Sequence, residues 1–484
     1  MPMKRAMGVV VWIFLLTVVI FPFPTKTNNQ EQEWPLYGRD LAGSHYNPYE
    51  RKITPATVSR LKPKWIFQTE GDVSSQPTVV GGVVYFGSWD GRHYAVDAKT
   101  GKQIWMFETG SPVRVGTAYG DGRVFFGDLA GRLYAVDART GELKWKRRID
   151  DHRYAVVTSS PIYYNGRVYI GISSHEEGAV LRDPRYECCT FRGGVAAFDA
   201  GTGDLIWRFY TIPETPVPRG KNKRGITLRG PAGGAVWSTV AIHPRANRLY
   251  LTTGNQYTGP PSKFTDAIIA LELDTGKLVW AYQAVPNDIW TFDCQNDPEC
   301  EDMDFDFGSI PITFRGPRGK QLIGAGQKSG WFYALDPDTG TLVWKTEVGP
   351  GGKLGGVEFG NATDGERVYV AISNHPKQGS VSALDGATGK ILWQTPCPDG
   401  GSNFGPITVT GRGSNKLVFA GSSKGFIRAY DARNGKILWE FDTGGAVGGG
   451  PTVVDGVLYV GSGYTFLRIG KGNNKLYAFS LDGK

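Results

Sequence analysis

Ala197-Phe198-Asp199-Ala200-Gly201-Thr202-Gly203-Asp204-Leu205-Ile206-Trp207 is one copy of a signature, Ala-x-Asp-x-x-Thr-Gly-x-x-x-Trp, that recurs along the chain. Further full copies run from Ala95 to Trp105, Ala135 to Trp145, Ala334 to Trp344 and Ala383 to Trp393. Two copies are altered: one ends in Trp280 and carries Glu272 at the acidic position, and Ala429 to Trp439 has Asn434 where Thr is usual. Lys62-Pro63-Lys64-Trp65 ends a unit whose front half is missing, and Tyr477-Ala478-Phe479-Ser480 begins one that never reaches its Trp. Eight terminal tryptophans result, at 65, 105, 145, 207, 280, 344, 393 and 439. A truncated copy at each end is what a ring closed by its own termini requires.

Between tryptophans the chain alternates and turns. In Gln76 to Gly87, two apolar runs flank Gly81-Gly82, the pattern of a β-hairpin. Repeats of this length with about four strands each predict an all-β propeller. Ring closure also protects the sheet edges that an open stack would expose. The repeat residues have structural roles that need no catalysis. Thr-Gly makes a tight turn in which Gly accepts positive φ. The Asp caps that turn through backbone N–H groups, and the Trp packs between neighbouring blades.

Composition agrees with this. Gly 67 and Pro 29 supply many turns in a chain of 484 residues. The net charge of +8 is spread without a basic block, which argues against a nucleic-acid partner. Met1-Pro2-Met3-Lys4-Arg5 precedes an apolar run from Ala6 to Phe23, a positive flank and hydrophobic stretch typical of export. Residues 1–27 are therefore expected to be a signal peptide or an uncleaved N-terminal anchor, and residues 28–484 the propeller, lying in the periplasm or outside the cell. In such an oxidising compartment the five cysteines are candidates for pairing. Cys188 and Cys189 are adjacent, Cys294 and Cys300 share a loop, and Cys397 is left over.

Successive tryptophans are 40, 40, 62, 73, 64, 49 and 46 residues apart. The inflated units end at Trp207, Trp280 and Trp344, and long loops from neighbouring blades are expected to build the functional site there. Motifs that occur once fall in the same units: Cys188-Cys189-Thr190-Phe191-Arg192-Gly193, Gly230 to Trp237, and Asp304-Phe305-Asp306-Phe307-Gly308. A bond between adjacent cysteines strains the backbone, because consecutive Cα atoms are about 3.8 Å apart and disulfides usually want roughly 4.4–6.8 Å. Strain of that kind tends to be kept at functional sites.

The tryptophan repeat and these motifs, which span the chain from about Trp34 to the C-terminus, resemble the pyrroloquinoline quinone (PQQ)-dependent alcohol dehydrogenases, above all their polyvinyl-alcohol dehydrogenase-like branch. The resemblance implies an eight-bladed propeller, PQQ and Ca2+ as cofactors (with a lanthanide as the alternative metal), and oxidation of alcohols, including secondary or polymeric ones. It places Glu177, in Ser173-Ser174-His175-Glu176-Glu177, and Asn255, in Thr252-Thr253-Gly254-Asn255, at the metal. Trp237 matches the tryptophan lying flat on the cofactor ring, and it stands outside the repeat register, unlike a packing tryptophan. Lys328, in Gln327-Lys328-Ser329-Gly330, matches the cation at the quinone oxygens, and the Cys188–Cys189 pair is expected to cover the ring opposite Trp237.

One position departs from the pattern. Relatives acting on small alcohols place an Asp after the Trp of a Pro-x-Asp-x-Trp stretch, whereas this chain has Thr291 after Trp290. Asp288 and Asp293 lie beside it and are the expected general bases, a role that needs a carboxylate near the reacting hydroxyl. No Cys-x-x-Cys-His haem motif is present, so electrons are expected to leave to a separate carrier such as a cytochrome c. The competing reading, from another class, is an exported propeller scaffold that binds protein partners. A scaffold has no use for a cysteine pair or for Glu, Asn, Trp and Lys gathered in neighbouring units.

Overall fold

The computed structural model describes residues 32–484, so the expected export segment lies outside the described residues. Eight antiparallel sheets of four principal strands follow one another around a ring. Blade 1 comprises Thr78–Val80, Val83–Gly87, Arg92–Asp97 and Gln103–Glu108, and each later blade repeats that meander. Blades 2 to 7 occupy residues 118–148, 155–210, 241–283, 312–347, 361–396 and 408–442. Blade 8 takes three strands from the C-terminal end, Thr452–Val454, Val457–Ser462 and Lys475–Leu481, and its outer strand, Leu61–Gln68, from the N-terminal side. The ring is closed by pairing the two ends of the fold, as the truncated repeats require.

The seams between blades show why the repeat has its composition. The Asp97 carboxylate accepts the Thr100 N–H and hydroxyl, both at 2.7 Å, and Asp199 accepts the Gly201 and Thr202 N–H groups at 2.8 Å. The glycine that ends the turn does more than adopt positive φ. A Cβ on Gly101 would lie 2.7 Å from the Trp65 ring of the preceding blade, and Gly141 meets Trp105 in the same way. Each seam tryptophan but Trp439 therefore lies against the glycine of the next blade. Its indole N–H reaches a carbonyl there: Trp65 to Ala98 at 3.0 Å, Trp105 to Ala138 at 2.9 Å and Trp145 to Ala200 at 2.9 Å. Trp439 closes the circle by donating to the Leu61 carbonyl at 3.2 Å. Trp207 differs, since its buried indole nitrogen has no hydrogen-bond partner among the described residues.

The inflated blades carry their additions as loops. Blade 3 bears a short turn of 3-10 helix, Glu176–Leu181, between its strands. An exposed ribbon, Val217–Lys221 paired with Thr227–Gly230, follows that blade. The connection from blade 4 to blade 5, residues 284–311, holds the Cys294–Cys300 disulfide and the Asp304 to Gly308 segment. Among the described residues, no helix is long and apolar enough to cross a membrane.

Candidate active site

The additions converge on a cavity of about 330 Å3. Its polar wall is made by Glu177, Asn255, Asp306, Lys328, Glu358 and Arg114, and Trp237 supplies a flat apolar face. The cavity is at the small end of the range typical of ligand sites.

Trp237 is held by the absence of side chains around it. A Cβ on Gly308 would collide with its indole, and one on Gly254 would fall 3.1 Å from its Nε1. The two glycines come from separate once-only motifs. Phe359 packs edge-on against Trp237 at 5.5 Å between centroids, and the Lys328 ammonium sits 5.7 Å from the ring centroid.

Asp306 is fixed from two sides. Its Oδ1 accepts the Asn255 N–H at 2.5 Å, and its Oδ2 accepts Lys328 Nζ at 2.7 Å. The backbone around it is anchored as well, with Lys328 N–H donating to the Asp306 carbonyl at 3.0 Å. Lys328 also reaches Asp304 Oδ1 at 3.0 Å. Burial opposes the ammonium charge, but Asp304 and Asp306 outweigh it and hold the Lys328 pKa well above the ordinary lysine value. The two carboxylates therefore favour the cationic form of Lys328 in the wall.

Glu176 and Glu177 are neighbours with opposite surroundings. Glu176 accepts from the Thr190 N–H at 2.8 Å, the Phe191 N–H at 2.7 Å and the Tyr186 hydroxyl at 2.6 Å, which anchors the Cys188–Cys189 loop. Burial raises its pKa, but His152 and these donors outweigh burial and lower it. The Glu177 carboxylate has no hydrogen-bond or ion-pair partner among the described residues and lines the cavity. Burial, reinforced by Asp306, pushes its pKa up to about 7. Asn255 donates both side-chain hydrogens to carbonyls, Gln256 at 2.9 Å and Trp290 at 2.8 Å, leaving its oxygen as the atom available to a ligand. Glu358 is similar to Glu177: its buried Oε1 is unpartnered, and burial raises its pKa to about 7.

Of the residues expected from sequence, Glu177, Asn255, Trp237 and Lys328 meet at this cavity. The others do not. Asp293 is turned outward into a clamp, paired with Arg224 of the exposed ribbon and accepting Asn296 Nδ2 at 2.7 Å. Asp288 is buried behind the wall, where its Oδ2 accepts the Phe305 N–H at 2.7 Å and steadies the segment carrying Asp306. Cys188 and Cys189 are bonded to each other, yet neither lines the cavity. Their loop is instead tied by mutual backbone bonds to Arg229, at 3.1 and 2.7 Å. Cys294 and Cys300 staple their loop, as expected.

Three wall residues were missed, Asp306, Glu358 and Arg114. Asp306 was in plain view within a once-only motif, and the need of a buried Lys328 for a carboxylate partner is the signal that finds it. Arg114 lies in an ordinary connection between blades 1 and 2 and carries no such signal. Its guanidinium is surrounded by Trp89, Phe359, Tyr464 and Phe466, all within 5.5–6.0 Å of the ring centroids.

A propeller whose ring is sealed by tryptophan seams, with one flat indole and a polar wall under its longest loops, is the architecture of a quinoprotein. The sequence model described as PQQ, the β-propeller domain of glucose/ethanol/alcohol dehydrogenases, matches residues 34–351, and the chain belongs to that family. A polyvinylalcohol dehydrogenase from Pseudomonas sp is 37% identical over 93% of this chain and 77% of that protein. Its counterpart from Sphingopyxis sp. (strain 113P3) is 35% identical over 90% and 75%. Among solved structures, quinohemoprotein alcohol dehydrogenase ADHIIG from Pseudomonas putida HK5 superposes with a TM-score of 0.76 at 23% identity, covering 94% of this chain and 81% of that one. A europium-containing methanol dehydrogenase gives 0.75 at 20% identity, covering 93% and 98%. Residues 328–413 and 423–484 also match the model for outer membrane protein assembly factor BamB.

Proposed function

We propose that this chain is an exported quinoprotein dehydrogenase that oxidises alcohols, secondary and polymeric ones included, and that Asp306 is its general base. The observation that carries the reading is the convergence of Glu177, Asn255, Asp306 and Lys328 beside the flat face of Trp237 in one cavity. The residues fit the two groups the family uses. Trp237, kept clear by Gly254 and Gly308, offers a plane for an aromatic ring. Arg114 and Lys328 suit an anionic, oxygen-rich cofactor. Glu177 and the Asn255 oxygen are hard donors without protein partners, as Ca2+ prefers. No three His, Cys, Asp or Glu side chains among the described residues are placed to hold a metal alone, so the cofactor's own atoms would complete the shell.

When bound, the quinone would supply the acceptor for hydride from the carbinol carbon, and the metal, held by Glu177 and Asn255, would supply a Lewis acid. The protein does the rest. Asp306 takes the hydroxyl proton on a carboxylate oxygen, and the Asn255 N–H and the Lys328 ammonium keep that carboxylate aimed. Trp237 and Phe359 exclude water from one side of the reacting atoms. The acid absent at position 291 is thus supplied from a segment fifteen residues further on in the same connection. Electrons leave to a separate acceptor, for which a cytochrome c is the proposed partner.

The test is reconstitution of the purified protein with PQQ and Ca2+, followed by assay of alcohols with an artificial acceptor dye. Alcohol-dependent dye reduction that needs both additions is expected. No PQQ binding and no reduction with Ca2+ or a lanthanide would leave the scaffold reading, which the BamB match in the C-terminal third favours.

A further inference from the structure

Large apolar side chains left exposed among the described residues of this propeller fall into two groups, Val217 of the exposed ribbon apart. Most repeat from blade to blade on the outer strands beside the seam tryptophans, as do Ile104, Met106, Leu205, Ile206 and Leu392. Leu181, Phe292 and Leu467 do not repeat, and all three stand at the cavity. They are 67%, 41% and 48% exposed and come from three separate insertions: the blade 3 turn, the blade 4 to 5 connection and the last loop of blade 8.

Their placement is built rather than incidental. The Phe292 N–H donates to the Glu177 carbonyl at 3.2 Å, which ties that rim residue to a wall residue. Phe466 stacks on His175 at 5.9 Å, joining the blade 8 loop to the blade 3 turn across the mouth. Leu467 is held at φ +52° and Arg468 at +58°, a left-handed pair without glycine. Non-glycine residues in that region are uncommon and cluster at functional sites. The result is a gradient, with charged groups on the wall and, beside Arg182, hydrocarbon around the opening.

We infer that Leu181, Phe292 and Leu467 are specificity-determining residues that take up hydrocarbon flanking the reacting carbinol, so that the site selects an internal hydroxyl on an extended apolar chain over a small alcohol. The inference rests on the alcohol-oxidising reading of the cavity. The charged wall suits one hydroxyl and nothing longer that is polar. The rim draws on blade 3 and the blade 4 to 5 connection on one hand and on blade 8 on the other, which suits a chain continuing in both directions from its hydroxyl. Covering these side chains is favourable in proportion to the apolar area removed from water. One lost contact of this kind is typically worth about tenfold or more in discrimination between substrates.

The experiment compares kcat/KM for 2-propanol, 4-heptanol and 6-undecanol in the holoprotein reconstituted with PQQ and Ca2+, for the wild-type chain, Leu467→Asn, Leu181→Ser and Phe292→Ser. Rising kcat/KM with chain length is expected in the wild type. The ratio for 6-undecanol over 2-propanol is expected to fall about tenfold in each variant, through KM rather than kcat. Leu467→Asn separates specificity from structure, since Asn tolerates the left-handed backbone that Leu resists. It should retain or raise the melting temperature while losing the length preference. A ratio unchanged in all three variants, or a wild type indifferent to chain length while oxidising 2-propanol, overturns the inference and leaves the enzyme reading standing. Oxidation of no alcohol at all overturns both.

Discussion

The seams and the cavity are built from the same residue types under opposite rules. At a seam, Trp105 finds a glycine to lie on and a carbonyl for its N–H, and Asp137 beside it is spent on turn N–H groups. At the cavity, Trp237 has two glycines to lie on but presents its face to open space, and Glu177 has no hydrogen-bond or ion-pair partner among the described residues. A polar group buried without a partner costs free energy that a folded chain ordinarily avoids. Repetition therefore marks satisfaction, and its interruption marks chemistry. The same contrast divides neighbours within one motif, since Glu176 holds a loop and Glu177 faces the ligand space.

The contrast is most sharply broken at Glu177. Glu177→Gln should raise the Ca2+ concentration needed for half-maximal reconstitution by at least about tenfold, while Glu176→Gln should instead lower thermal stability. Calcium titration of PQQ-loaded protein, beside melting curves, reads both. At a seam, Trp105→Ala should cost about 3–5 kcal/mol in denaturant unfolding through the interblade cavity it leaves. Both effects falling on one property would erase the distinction.

Acid tests the satisfied interior. Burial lowers the pKa of His45 and of His93 to about 3, against 6.5 for an accessible imidazole. Both are buried as neutral rings, so the unfolded chain binds more protons between those values. Their contribution to stability is complete above pH 6.5 and is lost as pH falls towards 3, by about 1.4 kcal/mol per pH unit for each ring. His93→Gln should make the decline between pH 6.5 and 5 shallower by about that amount, measured as the shift in urea midpoint. A smaller effect belongs to Trp207, whose N–H lacks a partner. Trp207→Phe should cost about 1 kcal/mol less than Trp105→Phe, which also gives up a hydrogen bond.

The ring was legible because its signature recurs at fixed offsets and each offset has one physical job. Asp97, Thr100, Gly101 and Trp105 could be assigned to a cap, a turn and an interblade contact before any coordinates, although the contact of glycine with the neighbouring tryptophan could not. The wall was legible where a motif occurred once, as at Trp237 and Lys328. It failed where proximity in sequence stood in for proximity in space. Asp288 and Asp293 flank position 291, but the Cys294–Cys300 staple and the Arg224 pair turn one outward, and the Phe305 N–H draws the other behind the wall. Asp306 arrives only after the chain has looped back. The cysteine pair lies next to the site in sequence and does not line the cavity, and Glu176 and Arg229 fix its loop.

The most direct measurement is the rate of cofactor reduction in a single turnover, followed spectroscopically after mixing PQQ- and Ca2+-loaded protein with excess alcohol. Asp306→Asn should slow that step by about 10²–10⁴-fold, the range for loss of a general base, while Asp293→Asn should stay within about threefold of the wild type and Asp288→Asn should fall between. A wild-type rate in Asp306→Asn, or a loss confined to Asp293→Asn, would contradict the assignment of the base and with it the wall described above.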